Sequence, residues 1–150
     1  VHAQRLPQVL LVLREQGLNV DAVVWHQGET EAWSGADPVA YESALQRWIA
    51  NLRTYGINAP VFVCLTTRDQ HGLINPSIRK AQASVWNQHK AVYAGPDTDT
   101  LGNAYRSDGV HFNQQGLSAF ASLLQQAMSH PSDQEAPRLS PAITPPGLFR

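Results

Sequence analysis

The sequence has one cysteine, no surplus of charge of either sign and no long apolar run, and each absence narrows what the chain can do. Cys64 has no second cysteine to pair with, and its place inside the apolar run PVFVCLTT indicates a small buried side chain. The 11 basic and 12 acidic residues leave a formal charge of -1, which argues against nucleic acid or an anionic membrane as a partner. No apolar run approaches the roughly 20 residues that span a bilayer.

The length and composition predict one folded domain followed by a tail. A chain of 150 residues with 43% hydrophobic residues can bury a single ordinary core, which we place in residues 1–130. Residues 131–150 contain five of the ten prolines and follow neither hydrophobic period, which is typical of a flexible tail. The chain starts at Val1 rather than at methionine, so we expect the natural amino terminus, with any signal peptide, to lie further upstream. A secreted or periplasmic location is compatible with this, and the compartment stays open.

Short apolar runs alternate with segments of helical period. The runs DAVVWHQGE and APVFVCLTT are rich in β-branched residues and predict buried parallel strands, and KAVYAGP is a weaker third strand. Helices are predicted over residues 37–56 and 75–93, each with a capping residue followed by proline, and also after DGVHF and in the opening LPQVLLVLREQG. This alternation predicts an α/β fold, a doubly wound parallel sheet with helices on both faces.

Polar segments follow the predicted strands. Ligands of open parallel sheets bind outside the carboxyl ends of the strands, so WHQGETEAW, TTRDQHG and SDGVHFN are the segments of interest. In the first, Gln27 can aim its amide at a developing oxyanion, and Gly28 lets the backbone approach a ligand closely. The alternative is a turn whose polar groups only satisfy the backbone.

Asp108 and His111 stand three residues apart where a loop gives way to a helix. A carboxylate that accepts from one imidazole nitrogen fixes the tautomer and leaves the other nitrogen to take a proton from a nucleophile. The alternative is an aspartate that caps a turn beside an ordinary loop histidine. The local pattern alone leaves both interpretations open.

A metal site is a further alternative. Its ligands would come from His26, Glu29, His71, Asp108 and His111. No tight pair of histidines or cysteines anchors such a site, and His26 and Glu29 belong to a turn rather than to one helical face. We therefore expect neither a metal ion nor another cofactor.

Two segments together resemble a known family. WHQGETEA at residues 25–32 and DGVHFNQQG at residues 108–116 are similar to the third and fifth sequence blocks of SGNH hydrolases, in the branch of sialate O-acetylesterases and acetylxylan esterases. IRKAQ at residues 78–82 resembles the R-x-x-Q helix start of that branch. The likeness spans roughly residues 18–129. It implies a flavodoxin-like three-layer fold and a Ser-His-Asp esterase that removes acetyl groups from an acetylated carbohydrate substrate.

The resemblance also implies roles for single residues. His111 becomes the general base, Asp108 its orienting acid, and Gln27 the side-chain donor to the oxyanion. Glu29 either holds the turn or binds a basic neighbour such as Arg79. Trp33 is a better candidate than Trp25 for a wall against a sugar ring, because Trp25 belongs to a core strand. The residues expected at the substrate are Gly28, Glu29 and Trp33.

The chain departs from the family at the nucleophile. The serine of SGNH hydrolases lies in a glycine-containing turn after the first strand, and no serine here occupies such a turn; Ser34 and Ser107 are the nearest candidates. We therefore expect the serine and the first strands to lie upstream of Val1, which makes this chain an inactive fragment. The strand edge left open would make the fragment poorly stable.

Two other functions fit the same sequence. One is a non-catalytic relative that binds acetylated glycan in the same cleft. The other is an interaction module that docks through the proline-rich tail.

Overall fold

The computed structural model describes residues 2–131, which form an α/β fold. The elements are α1 (His2–Glu15), β1 (Val23–Trp25), α2 (Glu29–Ser34), α3 (Pro38–Thr54), β2 (Val61–Leu65), α4 (Pro76–Ser84), β3 (Val92–Asp97) and α5 (Gln114–Ser129). Short 3-10 turns at Thr98–Thr100 and Asn103–Tyr105 join β3 to α5. The tail predicted at residues 131–150 lies outside the described residues except for Pro131. Within the described part, no helix is both long and apolar enough to cross a membrane.

The three strands form one parallel sheet in the order β1-β2-β3. All five residues of β2 are buried, as a central strand covered on both faces requires. Helices α3 and α4 pack together and against the sheet, while α5 packs against β3. The predicted α/β class with a parallel sheet is therefore confirmed. The largest fully buried apolar side chains are Leu45, Ile49, Leu52, Val61, Phe62, Val63, Leu65, Ile78, Val85 and Val92.

The predicted helix starts are built as the sequence indicates. The Asp37 carboxylate accepts hydrogen bonds from the Val39 and Ala40 N–H groups at 3.2 Å, with Pro38 in the first turn of α3. Asn75 caps α4 in the same way ahead of Pro76. These caps orient both helices so that each begins near the carboxyl end of the strands.

The helix predicted over residues 75–93 is shorter than expected. Helix α4 ends at Ser84, and Val92, placed in its apolar stripe by the sequence, begins β3 instead. Asn87 and Ala91 both have φ near 58°, a left-handed conformation that interrupts a right-handed α-helix. The chain between them turns back to start the third strand.

Two further helical predictions need correction. The segment AWSGAD predicts a loop at Trp33, but Trp33 lies on the six-residue helix α2, where it is 74% exposed. The helical period after DGVHF places Leu117 and Met128 on the apolar face of α5, but both are exposed, whereas Gly116 and Ala127 are buried. The buried stripe of α5 is therefore rotated from the predicted one.

Candidate active site

The loops that follow the three strands meet at the carboxyl end of the sheet. The fully buried Gln82 joins the first two: its Nε2 donates to the carbonyls of Gln27 and Thr66, and its Oε1 accepts from the Thr66 N–H. A Cβ on Gly28 would come within 2.3 Å of Gln82 Nε2, and Gly28 has a φ of 158°. The close approach expected at Gly28 is thus made by the protein's own amide. Its contact with substrate stays a prediction.

The Asp108 and His111 side chains form a hydrogen-bonded pair. Nδ1 of His111 lies 2.6 Å from Oδ2 of Asp108, while Oδ1 of Asp108 accepts from the N–H groups of Val110 and His111 at 2.9 and 2.7 Å. A carboxylate has no proton to donate, so Nδ1 carries the proton and Nε2 is the ring nitrogen that can accept one. The His111 side chain is 79% exposed, so Nε2 is open to an incoming group.

The turn that carries this pair is closed and supported. The Ser107 N–H donates to the His111 carbonyl at 2.8 Å, and Arg106 pairs with Phe112 in an antiparallel bridge. Gly109 has a φ of 88°, and a Cβ there would meet the Gln70 carbonyl at 2.5 Å. Only glycine fits this contact, so the turn rests directly on the loop that follows β2.

The pair shifts both pKa values in the directions that an acid–base dyad needs. The hydrogen bond from the His111 ring, aided by the two N–H donors, holds the pKa of Asp108 below its ordinary range. The same bond raises the pKa of His111, and the nearby Glu29 carboxylate raises it further. The imidazolium that would form on proton uptake is therefore stabilised.

An open cavity of about 170 Å³ adjoins this turn. Glu29 and Trp33 of α2 line it together with Val110, and the contact of Glu29 and Trp33 with substrate stays a prediction. Glu29 also accepts a hydrogen bond from the Gly28 N–H at 3.0 Å, which holds the turn. The lining residues are Glu29, Thr30, Trp33, Asp69, Gln70 and Val110.

The Gln27 side chain does not line this cavity. Its amide donates to the Glu31 carboxylate, and both residues line a separate cavity with Trp25 and Tyr41. Its carbonyl accepts from the Tyr41 hydroxyl at 2.7 Å. The structure therefore brings Glu29 and Trp33 close to the turn that carries Asp108 and His111, and it sets the Gln27 amide apart from them.

A comparison with known families agrees with this geometry. Residues 6–130 match the family described as carbohydrate esterase, sialic acid-specific acetylesterase. The chain belongs to this family. Curated proteins and solved structures gave no match. Membership in this esterase family confirms the resemblance found in the sequence, and it supports a carbohydrate acetylesterase-type function with an acetylated carbohydrate as substrate.

The chain contains a charged network that the sequence did not reveal. Arg79, one candidate partner of Glu29, instead donates to Asp97 and Asp99 at distances of 2.6 to 2.8 Å. Asp99, 3% exposed, also accepts from the Thr67 N–H, the Thr67 hydroxyl and the Arg68 N–H. The network fixes the start of the loop after β2, and the turn that carries Asp108 and His111 rests on this loop.

The side chains considered as metal ligands do not gather in the described part of the chain. Within residues 2–131, no three His, Cys, Asp or Glu side chains are grouped so that they would hold a metal ion. His26, one of the alternatives, turns its Nε2 to the Thr98 hydroxyl at 3.1 Å. Its ring packs against Phe112 and Phe120 at centroid distances of 5.6 and 5.0 Å. The surroundings of His26 suit a neutral, packed imidazole.

We expect His26 to make the folded chain less stable in acid. Burial lowers the pKa of His26 below its ordinary value of 6.5, although Glu29 and Asp99 oppose the shift. The unfolded chain therefore takes up the proton first, and stability falls as the pH drops below about 6.5, by at most about 1.4 kcal/mol per pH unit. Urea unfolding at pH 7.5 and 5.5 should show a smaller acid loss in His26→Gln. An equal loss in both proteins would contradict a neutral His26.

Proposed function

We propose that this chain carries the acid–base half of a Ser-His-Asp esterase that removes acetyl groups from carbohydrates. The observation that supports this most is the 2.6 Å hydrogen bond between Asp108 and His111, which leaves Nε2 of His111 facing solvent beside a cavity. An imidazole oriented in this way serves as a general base for a hydroxyl nucleophile.

The proposed reaction has two steps. His111 Nε2 takes the proton of a serine hydroxyl as its Oγ attacks the acetyl carbonyl, and it then gives that proton to the departing sugar oxygen. Water attacks the acetyl-enzyme in the same way, with His111 again accepting and returning a proton, and acetate leaves. Asp108 stabilises the imidazolium in both steps.

The serine is proposed to come from outside the described residues. Among the hydrogen bonds of residues 2–131, none joins a serine hydroxyl to the His111 ring, and the hydroxyl of the adjacent Ser107 contacts the His111 carbonyl at 3.2 Å. A serine from another segment would reach Nε2 from the solvent side, where the His111 ring is exposed.

The edge of the sheet supports this source for the serine. Strand β1 pairs with β2, and within residues 2–131 its other edge has no strand beside it. Val24 of β1 is 37% exposed, which is unusual for an apolar strand residue of a doubly wound sheet. A parallel strand added at this edge would deliver the turn that follows it to the same end of the sheet as His111.

Hydrolysis of p-nitrophenyl acetate tests the proposal. We would assay the present chain and the product of the full reading frame, each beside His111→Ala and beside His89→Ala as a control. His89 is an exposed histidine close to the start of β3, at the opposite end of the sheet. Activity that appears in the extended protein and disappears only in His111→Ala is the expected result.

The other outcomes also decide the matter. His111-dependent activity in the present chain would show that a serine within it, first of all Ser34, is the nucleophile. Equal activity in the His111→Ala and His89→Ala proteins would overturn the mechanism. If none of these proteins hydrolyses p-nitrophenyl acetate, the result would favour the alternative, a relative that binds acetylated glycan without hydrolysing it.

We propose that the sugar binds in the cavity beside the turn that carries Asp108 and His111. The ring of Trp33 is exposed on its rim, and an indole face suits the apolar face of a pyranose. Glu29 and Asp69 offer carboxylate oxygens that accept hydrogen bonds from sugar hydroxyls. A sugar stacked on Trp33 is proposed to direct its acetyl ester towards the Asp108–His111 turn, whose Val110 also lines the cavity.

The oxyanion role proposed for Gln27 predicts a large kinetic effect. In this role the Gln27 amide must give up its hydrogen bond to the Glu31 carboxylate and donate to the oxyanion that forms from the ester carbonyl. In the active protein, Gln27→Ala is expected to lower kcat about 10²–10³-fold without unfolding the chain, because the Gln27 carbonyl contacts are kept. Gln46→Ala is the matched control, since Gln46 makes the same contact with Glu42, four residues away on α3. Equal kcat values in the two variants would exclude the role.

A further inference from the structure

Arg106 is a buried arginine bound to carbonyl oxygens. It is 6% exposed, its Nε donates to the Leu101 carbonyl at 2.9 Å and one terminal nitrogen donates to the Thr98 carbonyl at 2.8 Å. The other terminal nitrogen donates to the Val110 carbonyl. None of the ion pairs found within residues 2–131 includes Arg106. Burying a guanidinium without a carboxylate is costly, so its three bonds to backbone carbonyls need a reason.

One of these carbonyls belongs to the peptide group that precedes the general base. The carbonyl of Val110 and the N–H of His111 are the two ends of a single planar unit. Arg106 holds the carbonyl, and Oδ1 of Asp108 accepts the N–H at 2.7 Å. Because the two groups point in opposite directions, hydrogen bonds at both ends restrict rotation of this peptide group.

The aromatic neighbours restrict Arg106 itself. Its guanidinium carbon lies 4.7 Å from the centre of the Phe112 ring, and Phe112 packs against His26 and Phe120. The Thr98 and Leu101 carbonyls come from the segment directly after β3. Arg106 therefore connects the rigid end of the sheet to the turn that carries the acid–base pair.

We infer that Arg106 is a positioning residue for the acid–base pair: by fixing the peptide group between Val110 and His111, it sets the direction in which Nε2 of His111 points. This inference rests on the proposed function of Asp108 and His111. Arg106 touches neither the ring nor the cavity, so it acts through the backbone.

Arg53 offers a matched control for the test. It is also an arginine that holds backbone carbonyls, donating to those of Ile57 and Ala59 at 2.7 and 2.8 Å. It lies where α3 leads into β2, at the amino end of the strands. Arg53→Lys and Arg106→Lys both keep the charge and lose the planar fork, so both are expected to lower stability to urea. They differ in their distance from His111.

The decisive readout is the His111 ring, observed by NMR in the full chain. In Arg106→Lys the bond between Asp108 and His111 should weaken, so the pKa of His111 should fall and its neutral ring should lose the Nδ1–H preference. In Arg53→Lys both properties should match the wild type. Unchanged His111 properties in Arg106→Lys would overturn the inference, because a merely structural arginine predicts loss of stability alone.

Kinetics of the active protein give the second readout. Arg106→Lys is expected to lower kcat about 10–100-fold with KM changed less than about twofold, since misplacing a catalytic group affects the reacting step more than binding. Arg53→Lys should leave both constants unchanged. If His111→Ala retains full activity, the proposed function fails, while the NMR comparison still decides the role of Arg106.

A measurement on the wild type covers the case in which Arg106→Lys fails to fold. The Nε–H proton of Arg106 is bound to a carbonyl in a buried site, so it should exchange with solvent at least tenfold more slowly than that of Arg47, an exposed arginine on α3. Exchange at the same rate in both would show that Arg106 does not hold its carbonyls, and would overturn the inference.

Discussion

Replacing Asp108 with asparagine is expected to lower kcat for acetyl ester hydrolysis about 10⁴-fold while the chain stays folded. In the variant, the side-chain oxygen can keep the bonds that Oδ1 accepts from the N–H groups of Val110 and His111. The amide nitrogen then replaces Oδ2 and offers hydrogens to Nδ1 of His111. The ring is forced to carry its proton on Nε2, the nitrogen that has to accept one.

The pH dependence of Asp108→Asn provides an independent check. The hydrogen bond to Asp108 raises the pKa of His111, and a general base works only in its neutral form. Losing the carboxylate should therefore move the acid limb of kcat/KM to lower pH, although Glu29 still acts on His111. Asp37→Asn is the control, because Asp37 makes the same kind of turn at the start of α3 with no histidine beside it. A variant with wild-type kcat and an unmoved acid limb would contradict the pairing.

The parts of the fold that the sequence predicts are those with local causes. Asp37 followed by Pro38 starts α3 through bonds within one turn, and the β-branched run of β2 is buried on both faces as its composition requires. The end of α4 has no such signal. Asn87 and Ala91 adopt left-handed conformations that neither residue type demands, because the chain must return to start β3 beside β2.

In the candidate site, too, the sequence predicts the features that have a local cause. Asp108 and His111 are three residues apart, so a single turn brings them into contact, and their spacing alone suggests a pair. Asp99 binds Thr67 and Arg68, which the pairing of β2 with β3 brings near, whereas Arg106 binds backbone carbonyls four to eight residues away. No period or motif marks a residue whose partners are backbone groups. The contact of Trp33 with substrate stays a prediction, and its helix α2 has no sequence signal at its start, because Gly28 precedes it without a side-chain cap.

Removing the guanidinium of Arg79 is expected to produce the largest loss of stability. In Arg79→Met the nearly buried Asp99 carboxylate keeps its N–H and hydroxyl donors but loses its counterion. Although burial disfavours the charged guanidinium, its hydrogen bonds to Asp97 and Asp99 raise the pKa of Arg79, so the guanidinium stays charged in the folded chain. Breaking a buried pair from one side typically costs about 3–5 kcal/mol. Urea unfolding at pH 7 measures this loss.

Two further variants separate the charge from the packing. Arg47→Met removes an exposed arginine from α3 and should change the free energy of unfolding by no more than about 0.5 kcal/mol. Arg79→Met combined with Asp99→Asn removes the more deeply buried of the two unpaired carboxylates and leaves that of Asp97, so it should recover part of the loss, since the asparagine oxygen still accepts from the Thr67 N–H. A loss below about 1 kcal/mol in Arg79→Met, or none recovered in the double variant, would mean that the pair does not stabilise this end of the sheet. The loop that begins at Thr67 would then need another source of order.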